Sequence, residues 1–130
     1  MSTIIGLSYC SHDTAVAAIR DGKIIAVYEE EKMTGVKSCY NSYARPEKGL
    51  QALEKDHGIT LENADEIAIA QFYVRDFVKS NSSIYDKVTQ VSHHDAHTLG
   101  AYFTSGMDGK VLSVSHDGKG NRSRGKVYLC

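Results

Sequence analysis

The dipeptide Asp21-Gly22 constrains the fold more than any other feature, because it separates two short runs rich in Ile, Val and Ala. Those runs, residues 14–20 and 23–29, are typical of strands, and an Asp-Gly pair between them favours a two-residue hairpin turn. A third run of the same kind, residues 3–8, precedes them. The chain is therefore predicted to begin with an antiparallel meander of three strands.

A helix and another strand are predicted after the meander. Residues 30–44 have no sustained hydrophobic period, so we expect a loop that carries charged side chains. Pro46 suits the first turn of a helix, in which apolar residues recur at three- and four-residue spacing until Gly58 ends it. The short β-branched run at residues 66–70 then predicts a strand parallel to a strand of the meander.

The rest of the chain is predicted to add a strand at residues 88–91, a helix to about residue 105 and a hairpin from residues 110–115 and 126–130. This pattern resembles the ribonuclease-H-like half-domain of actin, Hsp70 and sugar kinases, an α/β fold with a mixed sheet in β-β-β-α-β-α order. We expect the first half-domain at residues 1–109 and the first hairpin of a second, truncated one at 110–130. The last strand would then have an unpaired edge.

Charge and composition exclude several classes of function. The formal net charge of −1 gives no field to attract nucleic acid or an anionic membrane, and no apolar run approaches the roughly 20 residues that span a bilayer. The start lacks the features of a secretory signal peptide. The three cysteines are odd in number and widely spaced, so neither a disulfide framework nor a CxxC motif is present. We therefore expect a cytoplasmic protein that acts on small molecules, with no membrane or nucleic-acid partner.

The segment Val91-Ser92-His93-His94-Asp95-Ala96-His97 places three histidines within five residues. On a helix, His93 and His97 project from the same face and can present ring nitrogens to one ion. Asp117, just before Gly118, adds a carboxylate, and this donor set favours a first-row transition metal with open positions. The alternatives stay open that the histidines lie on a solvated helix surface and that Asp117 is an ordinary turn residue.

Five blocks, in order and spacing, resemble the O-carbamoyltransferases of antibiotic and nodulation-factor biosynthesis, and more distantly the hydrogenase-maturation and tRNA threonylcarbamoyl transferases. The blocks are Ile5-Gly6-Leu7 with His12-Asp13-Thr14-Ala15, Asp21-Gly22-Lys23-Ile24, Glu29-Glu30-Glu31-Lys32-Met33-Thr34, the histidine segment, and Asp117-Gly118-Lys119-Gly120. The resemblance implies the N-terminal portion of a transferase that uses ATP and carbamoyl phosphate to make carbamoyladenylate. The carbamoyl group would then pass to the hydroxyl of a small-molecule acceptor, with release of AMP.

The resemblance also implies roles for individual residues. His93, His97 and Asp117 would hold iron(II) or another divalent transition metal. His12 and Lys37 match positions near the transferring carbamoyl group, where a histidine could accept the acceptor's proton and a lysine could neutralise developing charge. The alternatives are a loop histidine that caps a turn and a solvated lysine.

Gly118, Lys119 and Gly120 are assigned to cofactor binding, since glycines let backbone amides approach an anion. A solvated hairpin tip, with Arg122, Arg124 and Lys126 as further surface cations, is the alternative. No Gly-Lys pair is followed by Ser or Thr, which excludes a Walker-type loop. Asn121 and Gly35-Val36 depart from the family pattern and put the identity of the acceptor in doubt.

Two other functions are weighed. A half-domain without catalytic activity could bind, or be completed by, a separately encoded partner. A kinase-like phosphoryl transfer is disfavoured, because residues 8–12 lack the acidic residue and the Gly-Thr pair that a sugar kinase has in its first hairpin. Because parts of the family fold are missing, the chain alone is expected to be inactive, and its partners are expected to be a second copy or the missing C-terminal domains.

Overall fold

The computed structural model describes five stretches of the chain, residues 1–8, 13–37, 46–70, 82–118 and 124–130. These stretches form two compact units, Met1–Gln90 and Val91–Cys130, which are described separately below. Among the described helices, none is both long and apolar enough to cross a membrane. The predicted division into half-domains at residues 1–109 and 110–130 stays a prediction.

A five-stranded mixed sheet forms the centre of the first unit. Its strands are β1 (Thr3–Ser8), β2 (Ala15–Arg20), β3 (Lys23–Glu29), β4 (Glu66–Ile69) and β5 (Val88–Gln90). The spatial order is β3-β2-β1-β4-β5. The first three strands pair antiparallel, whereas β4 lies parallel to β1 and β5 lies parallel to β4. The predicted meander and the parallel strand after it are therefore confirmed.

The turn between β2 and β3 has the backbone that its sequence predicts. The φ angle is 49° at Asp21 and 77° at Gly22. Two consecutive positive φ angles are what a type I′ turn requires, and that turn matches the right-handed twist of the two strands. The Asp21 carboxylate also accepts a hydrogen bond from the Ser2 backbone N–H at 2.9 Å, which holds the start of the chain at this turn.

The core of the first unit lies on one face of this sheet, which is covered by the helix α2 (Glu47–His57). Alternate strand residues point into the core because side chains on a strand alternate between its two faces. The buried aliphatic side chains come from β1, β2, β4, α2 and the segments near them: Ile5, Leu7, Val16, Ala18, Leu53, Ile59, Leu61, Ala64, Ile67, Ile69 and Ile84. Ile84 belongs to a 3-10 helix, Ser82–Lys87, that leads into β5.

The loop predicted at residues 30–44 is wrong for its first residues, where the structure has a short helix, α1 (Glu30–Thr34). Two glutamates, Glu30 and Glu31, stand in its first turn, where negative charge is favoured by the helix dipole. Gly35 ends the helix in the left-handed conformation with φ of 71°. A five-residue helix is too short to show the period on which the sequence analysis relied.

Glu30 joins α1 to the beginning of α2. Its side chain is buried, and its two carboxylate oxygens accept hydrogen bonds from the backbone N–H groups of Lys48 and Gly49, each at 3.0 Å. Pro46, which precedes α2, offers no side-chain cap, so Glu30 satisfies N–H groups that the helix itself leaves unpaired. One of the charged side chains expected on a loop at residues 30–44 is therefore a buried structural carboxylate.

The second unit consists of a helix and a hairpin. The helix α3 (His93–Ser105) begins at the histidine segment, and the antiparallel strands β6 (Leu112–His116) and β7 (Gly125–Leu129) form the hairpin. The helix packs on one face of the hairpin. The strands at residues 110–115 and 126–130 are confirmed, with bounds shifted by one or two residues.

Gly49 gives a test of the contact between α2 and the sheet. A Cβ atom at this position would lie 2.7 Å from Cγ1 of Val16 and 3.3 Å from Cβ of Tyr28. We expect Gly49→Ala to lower the free energy of unfolding by about 1–3 kcal/mol through overpacking, measured by urea denaturation. Gly100→Ala is the matched control, because nothing lies within 4 Å of its added Cβ in α3. It should raise stability by about 0.5–1 kcal/mol, and an equal effect of the two changes would contradict this packing.

Candidate metal centre

The first turn of α3 sets the direction of the two histidines. Ser92 precedes the helix in extended conformation, and its hydroxyl accepts a hydrogen bond from the Asp95 backbone N–H at 3.2 Å. This is the usual N-cap arrangement, which fixes where the helix begins. His93 is therefore the first helical residue, and His97 lies one turn later on the same face.

Asp117 comes directly after β6, where the hairpin begins to turn. Its backbone N–H donates to the carbonyl oxygen of Arg124 at 2.8 Å, so the backbone pairing of the hairpin extends to this residue. The Gly118 backbone N–H donates to Asp117 Oδ1 at 2.6 Å and orients the carboxylate. The other carboxylate oxygen, Oδ2, faces the histidines of α3.

His93, His97 and Asp117 converge as the sequence predicts. Asp117 Oδ2 lies 2.6 Å from His93 Nε2 and 4.0 Å from His97 Nε2, and the two ring nitrogens are 3.2 Å apart. Metal bonds of 2.0–2.2 Å to these atom types would place neighbouring ligand atoms roughly 3.3 Å apart in a tetrahedron. Small side-chain movements would bring the three atoms to such spacing.

The donor set fits a cation better than it fits protons alone. A neutral imidazole has one N–H, and His93 Nε2 is close enough to Asp117 Oδ2 to donate its proton there. His97 Nε2 lies 4.0 Å from the same oxygen, too far for a hydrogen bond of that kind. The hydrogen bonds from His93 and Gly118 hold the pKa of Asp117 below its usual value, so the carboxylate stays ionised. Two imidazole nitrogens and an ionised oxygen are donors that a divalent transition metal accepts.

Two further contacts hold α3 on the hairpin beside these ligands. Lys126 of β7 donates to Asp95 Oδ1 at 2.9 Å and to the Ser92 hydroxyl at 3.3 Å. The bond from Lys126 is also the main cause that lowers the pKa of Asp95. In the same turn, Nδ1 of His94 lies 2.7 Å from the Ser115 hydroxyl of β6. Both contacts tie the beginning of the helix to the strands.

The chain also matches a family model along much of its length. Residues 3–80 match the model described as the carbamoyltransferase N-terminus. The chain belongs to this family. The matched segment covers the first unit as far as residue 80, and the three converging side chains lie beyond it.

One relative and two solved structures extend the comparison. The uncharacterized protein sll1178 of Synechocystis sp. is 33% identical over 78 residues, which are 60% of this chain and 12% of that protein. YeaZ from Pseudomonas aeruginosa superposes with a TM-score of 0.58 at 19% identity, covering 99% of this chain and 67% of YeaZ. An uncharacterized Pseudomonas aeruginosa protein with similarity to peptidase YeaZ gives 0.54 at 17% identity, with 98% and 67% covered.

The structural neighbours bear on the fold, and the length of the relative bears on the activity. The two superpositions support the ribonuclease-H-like fold that the order of strands and helices predicted. The matched segment spans 12% of the Synechocystis relative, so this chain corresponds to a small part of that protein's length. Activity and substrates are therefore matters for proposal.

The other predicted site residues have mixed outcomes. His12, Lys119 and Gly120 lie outside the described residues. Lys37 lies in an exposed turn after α1, and Gly118 is exposed with its backbone N–H bonded to Asp117. The catalytic and cofactor-binding roles of these residues stay predictions.

The side chains that support the site were not predicted from the sequence. Lys126 lies in β7, within the strand predicted at residues 126–130, but it was expected to be a surface cation and instead forms an ion pair with Asp95. No role was predicted for His94, and Ser115 was not singled out. No signal in the sequence pointed to the serine, because alternation along β6 favours burial of Leu112 and Val114 rather than of Ser113 and Ser115.

The ion pair of Lys126 with Asp95 predicts a stability difference that depends on pH. Because the pKa of Asp95 is lowered in the folded state, the contribution of the pair is complete above the usual aspartate pKa of about 3.9 and is lost as the pH falls through the lowered pKa. We expect Lys126→Met to cost up to about 1 kcal/mol at neutral pH, since the pair is partly exposed. Amide hydrogen exchange in α3 measures this, and Lys110→Met, on the exposed surface, is the control. A cost that persists unchanged in acid would argue against the ion pair.

Proposed function

We propose that the chain is the N-terminal portion of a metal-dependent O-carbamoyltransferase. In this reaction carbamoyl phosphate, ATP and water would give carbamoyladenylate, with release of phosphate and pyrophosphate. The carbamoyl group would then pass to the hydroxyl of a small-molecule acceptor, with release of AMP. The observation that carries the proposal is the convergence of His93, His97 and Asp117 in a chain of the carbamoyltransferase family. The donor atoms of these three residues lie within 4.8 Å of one another.

The chemistry of the donors supports iron(II) or another divalent transition metal. Two imidazoles and one carboxylate leave coordination positions open, in contrast to the closed four-ligand sites that serve structure. An ion held here would supply Lewis acidity toward a carbonyl or phosphoryl oxygen and a template for two reactants. The proposed task of the three residues is to hold that ion in a fixed geometry.

The exposure of the ligands supports access for substrates. The side chains of His97 and Asp117 are 59% and 42% exposed, and that of His93 is 23% exposed. The donor atoms therefore stand at the surface of the second unit rather than inside its packing. Gly118, Lys119 and Gly120, which come directly after Asp117, are proposed to meet a nucleotide phosphate there.

His12 and Lys37 complete the proposed chemistry. A histidine near the acceptor hydroxyl can take its proton as the carbamoyl carbon is attacked, provided that it lies within hydrogen-bond reach. A lysine ammonium can stabilise the negative charge that develops on the carbamoyl oxygen. Lys37 has the exposure that contact with a substrate requires, since it lies in a turn on the surface.

Metal binding by the chain tests directly whether the converging side chains of His93, His97 and Asp117 hold an ion. We expect His93→Ala, His97→Ala and Asp117→Ala each to weaken binding of iron(II) by more than about 100-fold, because removal of a direct ligand should exceed the 10–100-fold effect of outer-shell changes. Anaerobic isothermal titration calorimetry measures the affinity. His57→Ala, which removes a histidine at the end of α2, is the matched control. Equal affinities in all four variants and the unchanged chain would overturn the metal site.

Turnover tests the reaction in the whole protein that carries this N-terminal portion. We expect ATP to be cleaved to carbamoyladenylate and pyrophosphate only when carbamoyl phosphate is present, with AMP released once water or an acceptor hydroxyl takes the carbamoyl group. The rate should fall by at least about 100-fold in the His93→Ala variant, since the loss of preorganised electrostatic stabilisation costs that much. Chromatography of the nucleotides measures both. AMP formation that does not depend on carbamoyl phosphate would contradict the proposed first step.

A second candidate function is a half-domain that another polypeptide completes. The observation that favours it is the outer face of the β6–β7 hairpin, where four exposed aliphatic side chains form two cross-strand pairs, Leu112 with Leu129 and Val114 with Val127. Exposed apolar patches commonly mark interaction sites. Metal binding without carbamoyl-dependent AMP formation by the whole protein would favour this second candidate.

A further inference from the structure

The interface between α3 and β6 has polar side chains where a helix usually buries aliphatic ones. His94 and Thr98, one turn apart on α3, are 2% and 1% exposed, and Ser115 of β6 is 8% exposed. His94 Nδ1 and Ser115 Oγ are 2.7 Å apart. Ser113 Oγ donates to the Thr98 carbonyl oxygen at 3.4 Å. The interface is therefore defined by directional contacts rather than by aliphatic packing alone.

A directional contact can specify the register of the helix along the strand. Ser113 and Ser115 lie on the same face of β6, because side chains alternate along a strand. If His94 were bonded to Ser113 instead, the helix would be displaced along β6 by two residues, or roughly 6.8 Å. The histidines would then be too far from Asp117 to share an ion with it. The bond to Ser115 selects the register in which the three ligands meet.

The positions of both partners place them next to the ligands. His94 directly follows His93, and their rings meet edge to face with centroids 5.4 Å apart. Ser115 lies in β6, two residues before Asp117. The contact thus links the element that supplies two nitrogens to the element that supplies the oxygen, through buried atoms that cannot exchange the bond for water without cost.

We propose that His94 and Ser115 are positioning residues of the metal site, and that their hydrogen bond sets the separation between the two histidine ligands and Asp117. This inference rests on the proposed function, since it concerns the same metal. Neither residue contacts the ion. Their role is to hold the three donor atoms at coordination distance before the ion arrives, which lowers the cost of ordering them on binding.

The two nitrogens of His94 allow a matched pair of substitutions. In His94→Asn the side-chain amide occupies approximately the place of Nδ1 and can keep a bond to Ser115, whereas in His94→Gln it reaches the place of Nε2. Ser115→Ala removes the bond from the other side. Ser113→Ala is the control, because Ser113 lies on the same strand face but contacts only a backbone carbonyl among the bonds described for it.

Cobalt(II) is the probe, because its absorption spectrum reports coordination geometry as well as binding. We expect His94→Gln and Ser115→Ala to weaken cobalt(II) affinity by about 10–100-fold and to change its d–d absorption, while circular dichroism shows an unchanged helix content of the chain. His94→Asn and Ser113→Ala should keep the affinity and the spectrum of the unchanged chain. Combining His94→Gln with Ser115→Ala should cost little more than either change alone.

The outcomes separate this inference from the proposed function. If the unchanged chain binds no cobalt(II), the metal site itself fails and the inference falls with it. If the unchanged chain binds and His94→Gln and Ser115→Ala bind equally well with the same spectrum, only the positioning role is overturned. If His94→Asn weakens cobalt(II) binding as much as His94→Gln does, or if both variants lose helix content, the effect is one of general packing. Either result would also overturn the positioning role.

Discussion

The docking of the first turn of α3 onto the β6–β7 hairpin is the interaction on which the candidate metal centre depends. Two contacts fix the position of that turn, one to each strand of the hairpin. His94 contacts Ser115 of β6, and Asp95 contacts Lys126 of β7. The ligands come from two different elements, and His97 and Asp117 are twenty positions apart in the sequence. The contacts between those elements are therefore what brings the ligands together. Without this docking, His93 and His97 would still lie on one face of α3, but no carboxylate would lie beside them to complete the site.

The fold could be predicted from the sequence wherever a local signal coincided with a long-range requirement. Asp21-Gly22 specified a turn whose geometry matches the twist of its strands, and the β-branched run at β4 needed a parallel neighbour. The prediction failed at α1, since five residues give no helical period. The buried role of Glu30 depends on the unpaired N–H groups of a helix that begins seventeen residues later, and no local pattern reports such a contact.

The ligands of the candidate site were easier to predict than their supports. His93 and His97 are recognisable because helical spacing alone puts them on one face. Asp117, just before Gly118, is the carboxylate that the sequence offers as a third metal ligand. Ser115 and Lys126 depend instead on which face of the hairpin meets the helix. Alternation along β6 and β7 offers two faces, and the aliphatic residues favoured the wrong expectation, because the structure packs α3 against the serine-bearing face.

The bond from Glu30 to the start of α2 has a consequence for how this chain can diverge. It holds α1 against the beginning of α2, so the end of α1 at Thr34 and the start of α2 at Glu47 are both fixed by the folded core. The entropy cost of joining two fixed points rises by only about 0.6 kcal/mol for each doubling in the length of the connection. Insertions, deletions and new side chains can therefore accumulate between these helices, beside Lys37, while the sheet keeps its register. Evolution can vary this part of the molecule without rebuilding the rest.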